Sequence, residues 1–503
     1  MSGEFPHAIQ LSDRPPRDQS PCFGGQMVEQ HRHRCVHLAF RSFLVLGLAR
    51  LLTIFHQQLT VSGVRSMLNH AFIAMKLSTT LFSLMGLALL TPQVHADEWP
   101  SWRGPNDNNT LAETNFPITW DAKTNVRWRT PLPEMGNSSA IVWGNVVFLT
   151  QAEEAAGKRS LICFDRVTGK PLWTQSTVFK QEEPKHNTNT YCASTPVTDG
   201  KHVYAYHASA GIFCYDLEGK EIWKRDLGPQ IHTFGGGSSP VLYGEHLYVY
   251  HGPGKDARLV AMVKTTGEIV WEFREPAAKA TAKREDGFKG SDEGRIASYS
   301  TPTVVKHGER EELIMCFPEL VISLDPSKGK ELWRCGGLNP LVYTSPIIHE
   351  GNVIAMGGYQ GPAISVKLGG KGDVTDTHRL WKTGMGSARL STGVINDDKL
   401  FLINMTGIGE CLDLKTGEQV SKARIRQGKH GKPVWGACVL VGDKIYAVDK
   451  EGVTFVMKAD PTFEIIAANP LGEASNCTPA FSNGEIFIRT ENALWCIAMA
   501  KDA

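Results

Sequence analysis

From Ser138 onward, the chain alternates apolar and polar positions in short runs separated by turns that carry Gly or Asp. Asp199-Gly200 precedes His202-Val203-Tyr204-Ala205-Tyr206, and Gly244-Glu245 precedes His246-Leu247-Tyr248-Val249-Tyr250. A period of two interrupted by such turns predicts antiparallel strands joined by hairpins. Two landmarks punctuate these strands. The first is a Ser/Thr pair, usually followed by Pro: Ser138-Ser139, Ser194-Thr195, Ser238-Ser239, Ser300-Thr301, Thr344-Ser345 and Ser391-Thr392, with degenerate copies at Gly436-Ala437-Cys438 and Cys477-Thr478-Pro479. The second is an Asp, a Gly four residues on and a Trp four after that.

That second pattern stands at Asp165, Gly169 and Trp173 and again at Asp325, Gly329 and Trp333. A shorter version is Asp216, Gly219 and Trp223. Gly267 and Trp271 keep the second half behind Val263, Asp413 and Gly417 keep the first half, and Trp381 marks another copy by its Trp alone. Each unit then reads as strand, turn, strand, turn, Asp-bearing strand, Thr-Gly turn and Trp-bearing strand. Four strands recurring every 40–60 residues, eight times, predict an all-β, eight-bladed β-propeller of four-stranded antiparallel blades over 121–503. The last unit stops at Leu494-Trp495-Cys496 without an outer strand, while Val126-Arg127-Trp128-Arg129 resembles one without a blade. The Trp128 strand is therefore expected to complete the last blade and close the ring, removing an exposed edge.

Ahead of the repeats the pattern changes. Met75-Lys76, the apolar run Leu77–Leu90 and Val94-His95-Ala96 have the layout of a secretory signal peptide with cleavage after Ala96. This predicts a periplasmic or secreted protein with no membrane span in the mature chain. Residues 1–74 read as a disordered or misassigned leader. Residues 97–120, with Trp99, Trp102 and Arg103, read as an extended strap packed through its aromatics. Two loops exceed the repeat: Glu275–Ser298, charged and Gly-rich, and Gln175–Tyr191.

Composition narrows the function classes. The 53 Lys plus Arg and 52 Asp plus Glu nearly cancel, so no global field favours nucleic acid. Of eleven Cys, nine follow Ala96, and Cys163, Cys214 and Cys411 share one repeat position. They read as small buried strand residues rather than a disulfide framework. The histidines lack compact ligand spacing, so no metal site is expected.

The Asp165-x-x-Thr168-Gly169-x-x-x-Trp173 unit resembles the tryptophan-docking motif of the pyrroloquinoline-quinone (PQQ)-like repeat propellers, over about residues 120–499. The opening Trp99-Pro100-Ser101-Trp102-Arg103-Gly104-Pro105 is similar to that of secreted bacterial members. The resemblance implies kinship with quinoprotein dehydrogenases, with BamB-type outer-membrane assembly proteins and with kinase-fused sensor domains, so it implies fold more firmly than function. In alcohol-type quinoproteins it implies PQQ in the axial channel beneath a vicinal Cys pair, with Ca²⁺. No two Cys are adjacent here, and no haem, Walker or nucleophile-elbow motif occurs.

What remains is the channel mouth. The residues before each Ser/Thr landmark should converge there: Asn137, Tyr191, Tyr299, Tyr343, Arg389, Trp435 and Asn476, with His186 and His232 in nearby loops. Such a funnel suits stacking and hydrogen bonding to a ligand. Filling of the axis by the same aromatics is the alternative. The expected function is a binding or scaffold module, acting as a monomer, for a protein or cell-envelope component. PQQ with calcium in an atypical oxidoreductase site and carbohydrate binding are the alternatives.

Overall fold

The computed structural model describes residues 98–278, 296–358, 360–384 and 389–500. The leader, the signal segment and its cleavage point lie outside the described residues, as does most of the Glu275–Ser298 loop. Eight antiparallel sheets follow one another around an axis: blades 1 to 7 at 141–178, 197–225, 241–274, 303–336, 347–382, 394–424 and 439–470, and blade 8 at 480–498. Blade 8 takes its fourth strand from Val126–Pro131, which pairs antiparallel with Ala493–Ala498. Closure by the Trp128 strand is thus as expected. Among the described residues no helix is long and apolar enough to cross a membrane.

The core lies in the seams between blades. Tyr204, Trp223, Leu247 and Val260 fill the seam between blades 2 and 3, and Tyr248, Trp271, Leu313 and Met315 fill the next. Period-two alternation produces this arrangement, because successive side chains of a strand enter opposite faces of the blade and both faces are covered by neighbours. Only the outer strands alternate between exposed and half-buried, as in Pro171–Val178.

The Asp-Gly-Trp unit works between blades. Each indole lies against the Gly of the following blade: Trp128 on Gly169, Trp173 on Gly219, Trp223 on Gly267, Trp271 on Gly329 and Trp381 on Gly417. In each case Nε1 donates to a backbone carbonyl of that turn, at 2.7–2.9 Å. The Asp carboxylate shapes the turn, as Asp165 accepts from Thr168 N and Oγ1. Trp333 departs from this scheme. Blade 5 has a longer turn, part of which, Gly372–Asp373, adds to the outer edge of blade 4. The Trp333 indole therefore donates to Glu312 of its own blade, a buried carboxylate that also accepts from Ser323 Oγ and Gly369 N. In blade 6 the Trp position is Ser421, whose hydroxyl reaches Pro461 O (2.6 Å).

The Ser/Thr landmarks form a ring of their own. Ser139 N–H donates to Thr195 Oγ1, Thr195 to Ser239 Oγ, Ser239 to Thr301 Oγ1, Thr301 to Ser345 Oγ and Ser345 to Thr392 Oγ1, all at 2.9–3.2 Å. Ala437 N–H donates to Thr478 Oγ1 and Thr478 N–H to Ser139 Oγ. Each blade thus satisfies a buried backbone donor of its neighbour. The circuit breaks once, between blades 6 and 7, where Ala437 carries no hydroxyl. On the other side of blade 7, Gly436 lets the chain pass the blade 8 landmark so closely that a Cβ would stand 2.3 Å from Cys477 O.

The strap crosses one end of the axis. Trp99 bridges to Val142 of blade 1, Pro100 O accepts from Thr198 N of blade 2, and Arg103 Nη1 donates to Pro346 O of blade 5 (2.7 Å). Thr110–Leu111 then joins blade 7 as a parallel strand. Contacts on opposite sides of the ring make the strap a plug.

Two buried histidines make stability depend on pH. Burial pushes His207 down to about 3 and His251 down to about 4. The unfolded chain, titrating near 6.5, binds protons that the folded state refuses, so stability present above pH 6.5 is lost as pH falls toward 4. The expected result is a falling melting temperature over that window, reaching roughly 1.4 kcal/mol per pH unit for each histidine. Replacing His251 by Asn flattens the curve; an unchanged slope would remove His251 from this account.

Candidate functional site

Above the plug lies an axial cavity of about 760 Å³. Its floor is Trp102 of the strap, whose Nε1 donates to Thr478 Oγ1 (3.2 Å). Its lower wall is the Ser/Thr ring, and its upper wall is built from the residues that precede the landmarks. Six of the nine residues expected in the funnel line it: Asn137, His186, Tyr299, Tyr343, Trp435 and Asn476.

Local pairing explains the arrangement. Ala297–Ser298 and Leu341–Val342 form a two-residue parallel ladder in register, Ala297 with Leu341 and Ser298 with Val342. The next residues, Tyr299 and Tyr343, are thereby side by side, and their rings stack at 5.1 Å with a 10° interplanar angle. Opposite polar groups meet at the seam of blades 8 and 1, where Asn476 Nδ2 reaches Asn137 Oδ1 (3.4 Å) and Asn137 Nδ2 donates to Thr188 O (3.0 Å). Trp435 stands at the break in the ring, with Lys450 Nζ 4.2 Å from its ring centroid. His186 is exposed, its Nδ1 2.7 Å from Thr188 Oγ1 and its ring 5.7 Å from Phe234.

The other three expected residues lie elsewhere, each held by a partner. Arg389 turns into blade 6, where Nε and Nη2 pair with the buried Glu410 at 3.2 and 3.0 Å. A fully buried carboxylate holds a guanidinium more strongly than a neutral cavity does. Tyr191 donates to Glu183 O (2.6 Å) under the Arg159 guanidinium, 4.1 Å from its ring. His232 is buried behind Tyr299, with Nδ1 3.1 Å from its hydroxyl, and burial lowers its pKa. Sequence reasoning missed Trp102, Phe234, Gln360 and Met405. Trp102 carried a signal, an aromatic in a strap without periodicity; the others sit in loops that no repeat position marks.

The described lining contains no Asp, Glu, Lys or Arg. PQQ is a tricarboxylate, and Ca²⁺ takes oxygen ligands with carboxylates among them. Neither finds a counter-charge in this wall, so the residues present do not fit that pair. Two polar atoms of lining side chains, Trp435 Nε1 and Asn476 Oδ1, are buried without a hydrogen-bond partner. A second group, His349, Glu350 and Asp398, borders a 470 Å³ groove on the strap side, where Asp398 also pairs with Lys415. The nine Cys after Ala96 are all buried and free.

Comparison with known proteins agrees with the architecture. The family model described as outer membrane protein assembly factor BamB matches residues 158–420 and 287–503. No curated protein matches the chain. Among solved structures, BamB from Moraxella catarrhalis is 19% identical over 64% of this chain and 84% of that one, at a TM-score of 0.47. A europium-containing methanol dehydrogenase is 9% identical over 80% of this chain and 91% of its own, at 0.57. The quinohemoprotein alcohol dehydrogenase of Comamonas testosteroni is 11% identical over 82% of each chain, at 0.56. The two dehydrogenases are alike in fold alone. With eight blades closed on themselves, five of their seams docked by Trp, and a family match over most of its length, this chain belongs to the PQQ-repeat β-propellers, in the family described by BamB.

Proposed function

We propose that the protein is a non-enzymatic binding or scaffold module, secreted or periplasmic, that holds a protein or cell-envelope component at the face carrying the axial cavity. The observation that carries this reading is the uncharged character of the described lining of that cavity. Acid–base, nucleophilic and metal-assisted mechanisms each need an ionisable or metal-ligating group at the reacting atom. Among the described lining residues the ionisable side chains are His186, Tyr299, Tyr343 and Cys477; His186 is held by Thr188, and burial raises the Tyr299 hydroxyl and the Cys477 thiol above their ordinary values. The family description, an outer membrane protein assembly factor, supports a scaffold and an envelope location. The signal-peptide layout of residues 75–96 supports export.

The test is thermal unfolding of the purified protein with and without PQQ and Ca²⁺. A ligand at a hundred times its dissociation constant stabilises the folded state by about 2.7 kcal/mol. The expected result is an unchanged melting temperature. A shift of several degrees would overturn the scaffold reading in favour of a quinoprotein.

A further inference from the structure

We infer that the axial cavity binds an uncharged sugar: one or a few pyranose rings at the end of a glycan. This rests on the reading of the protein as a binding module and names the ligand of that site. The cavity, at about 760 Å³, falls in the range of ligand sites that bury most of a small molecule. It ends on Trp102, so it receives the end of a ligand and does not thread a chain.

Three features select the chemistry. Without an ionised side chain in the described wall, a charged ligand surrenders its hydration and gains no partner, which costs it several kcal/mol. A purely apolar ligand fails for the opposite reason, since it would displace water from the polar part of the wall, the Gln360 amide included, and offer no hydrogen bond in return. A neutral sugar offers both surfaces, C–H faces for aromatic rings and hydroxyl edges for amides. The stacked Tyr299 and Tyr343 supply one platform, held rigid by the two-residue ladder beneath them, and Trp435 supplies the second.

The mixed wall points the same way, since it sets the Trp435 ring beside the Asn476 and Gln360 side chains, and a hydroxyl both donates and accepts, so one class of substituent suits either kind of amide group. The break in the Ser/Thr ring at Ala437 stands beside Trp435, where the wall carries no hydroxyl of its own.

The experiment is titration of the intact protein with neutral trisaccharides of glucose, mannose and N-acetylglucosamine, read by tryptophan fluorescence and calorimetry. A galacturonic acid trisaccharide and PQQ with Ca²⁺ serve as comparisons. At least one neutral trisaccharide is expected to bind with a dissociation constant below about 1 mM. Trp435→Ala is expected to weaken it at least about tenfold. Trp435→Phe keeps a ring and loses the N–H, and is expected to fall between the two, so the result survives if the alanine variant folds poorly. No response to any neutral sugar up to about 10 mM, or binding of the acidic sugar alone, overturns the inference and leaves the scaffold reading standing. Stabilisation by PQQ overturns both.

Discussion

Replacing Arg489 by Ala is expected to destabilise the ring by about 3–5 kcal/mol, read as an earlier midpoint in chemical denaturation. Arg489 is 1% exposed and belongs to blade 8, yet its acceptors lie in blade 1. Nη1 donates to Ser138 Oγ (2.7 Å) and Thr150 O (2.8 Å), and Nη2 to Gln151 Oε1 (2.6 Å). Hydrogen bonds from a charged donor contribute about 1.5–3 kcal/mol each, and truncation leaves the buried acceptors unpaired. Arg166 of blade 1 latches the same seam from the other side, through Glu485 and Ser482 O. If Arg489→Ala melts with the parent protein, the seam is held by packing and the latch is incidental. Arg489→Lys is expected to recover little, because a single ammonium cannot span three acceptors in a fixed fork.

The second large effect is at the docking of Trp271, which is 8% exposed, on Gly329. Trp271→Ala is expected to cost about 3–5 kcal/mol through the cavity it leaves between blades 3 and 4. Gly329→Ala fails for a different reason: φ is +65°, and the new Cβ would lie 2.5 Å from the indole. The left-handed conformation alone costs about 1–2 kcal/mol, and the clash adds to it. The two substitutions are therefore not additive. With Trp271 already removed, Gly329→Ala is expected to cost only the backbone term, so a double-mutant cycle shows a coupling of about 1 kcal/mol or more. Strict additivity would show that the indole and the glycine do not support one another.

How much of this was legible in the sequence depends on how local each cause is. Strand periodicity and the spacing of Asp165, Gly169 and Trp173 act within one blade and its neighbour, so blade number, docking and closure could all be read from the chain. The Ser/Thr landmark was visible as a repeat, but its hydrogen-bonded circuit required the ring to exist. Trp333 illustrates a limit: its spacing matches its siblings, and only the longer turn of blade 5 redirects its indole to Glu312. Arg389 stands one residue ahead of the position that Tyr299 and Trp435 occupy, which Leu390 fills in the cavity wall, and Glu410, 21 residues away on a central strand, holds the guanidinium outside it. Tyr299 and Tyr343 stack because of a ladder two residues long, below the length at which any periodicity registers. Trp102 reaches the cavity because the strap crosses the axis, a path decided by contacts with six blades.

The closing strand also sets an order of events during synthesis. Val126 pairs with Ile497 and Pro131 with Ala493, so the first ring strand to leave the ribosome waits for the last. At about 5–20 residues per second the delay is on the order of half a minute. Blades 1 to 7 can each zip locally as meanders in that time, while Trp128 and the blade 1 face it docks against have no partner sheet. A nascent chain kept open in this way cannot lock its ring before the final strand arrives.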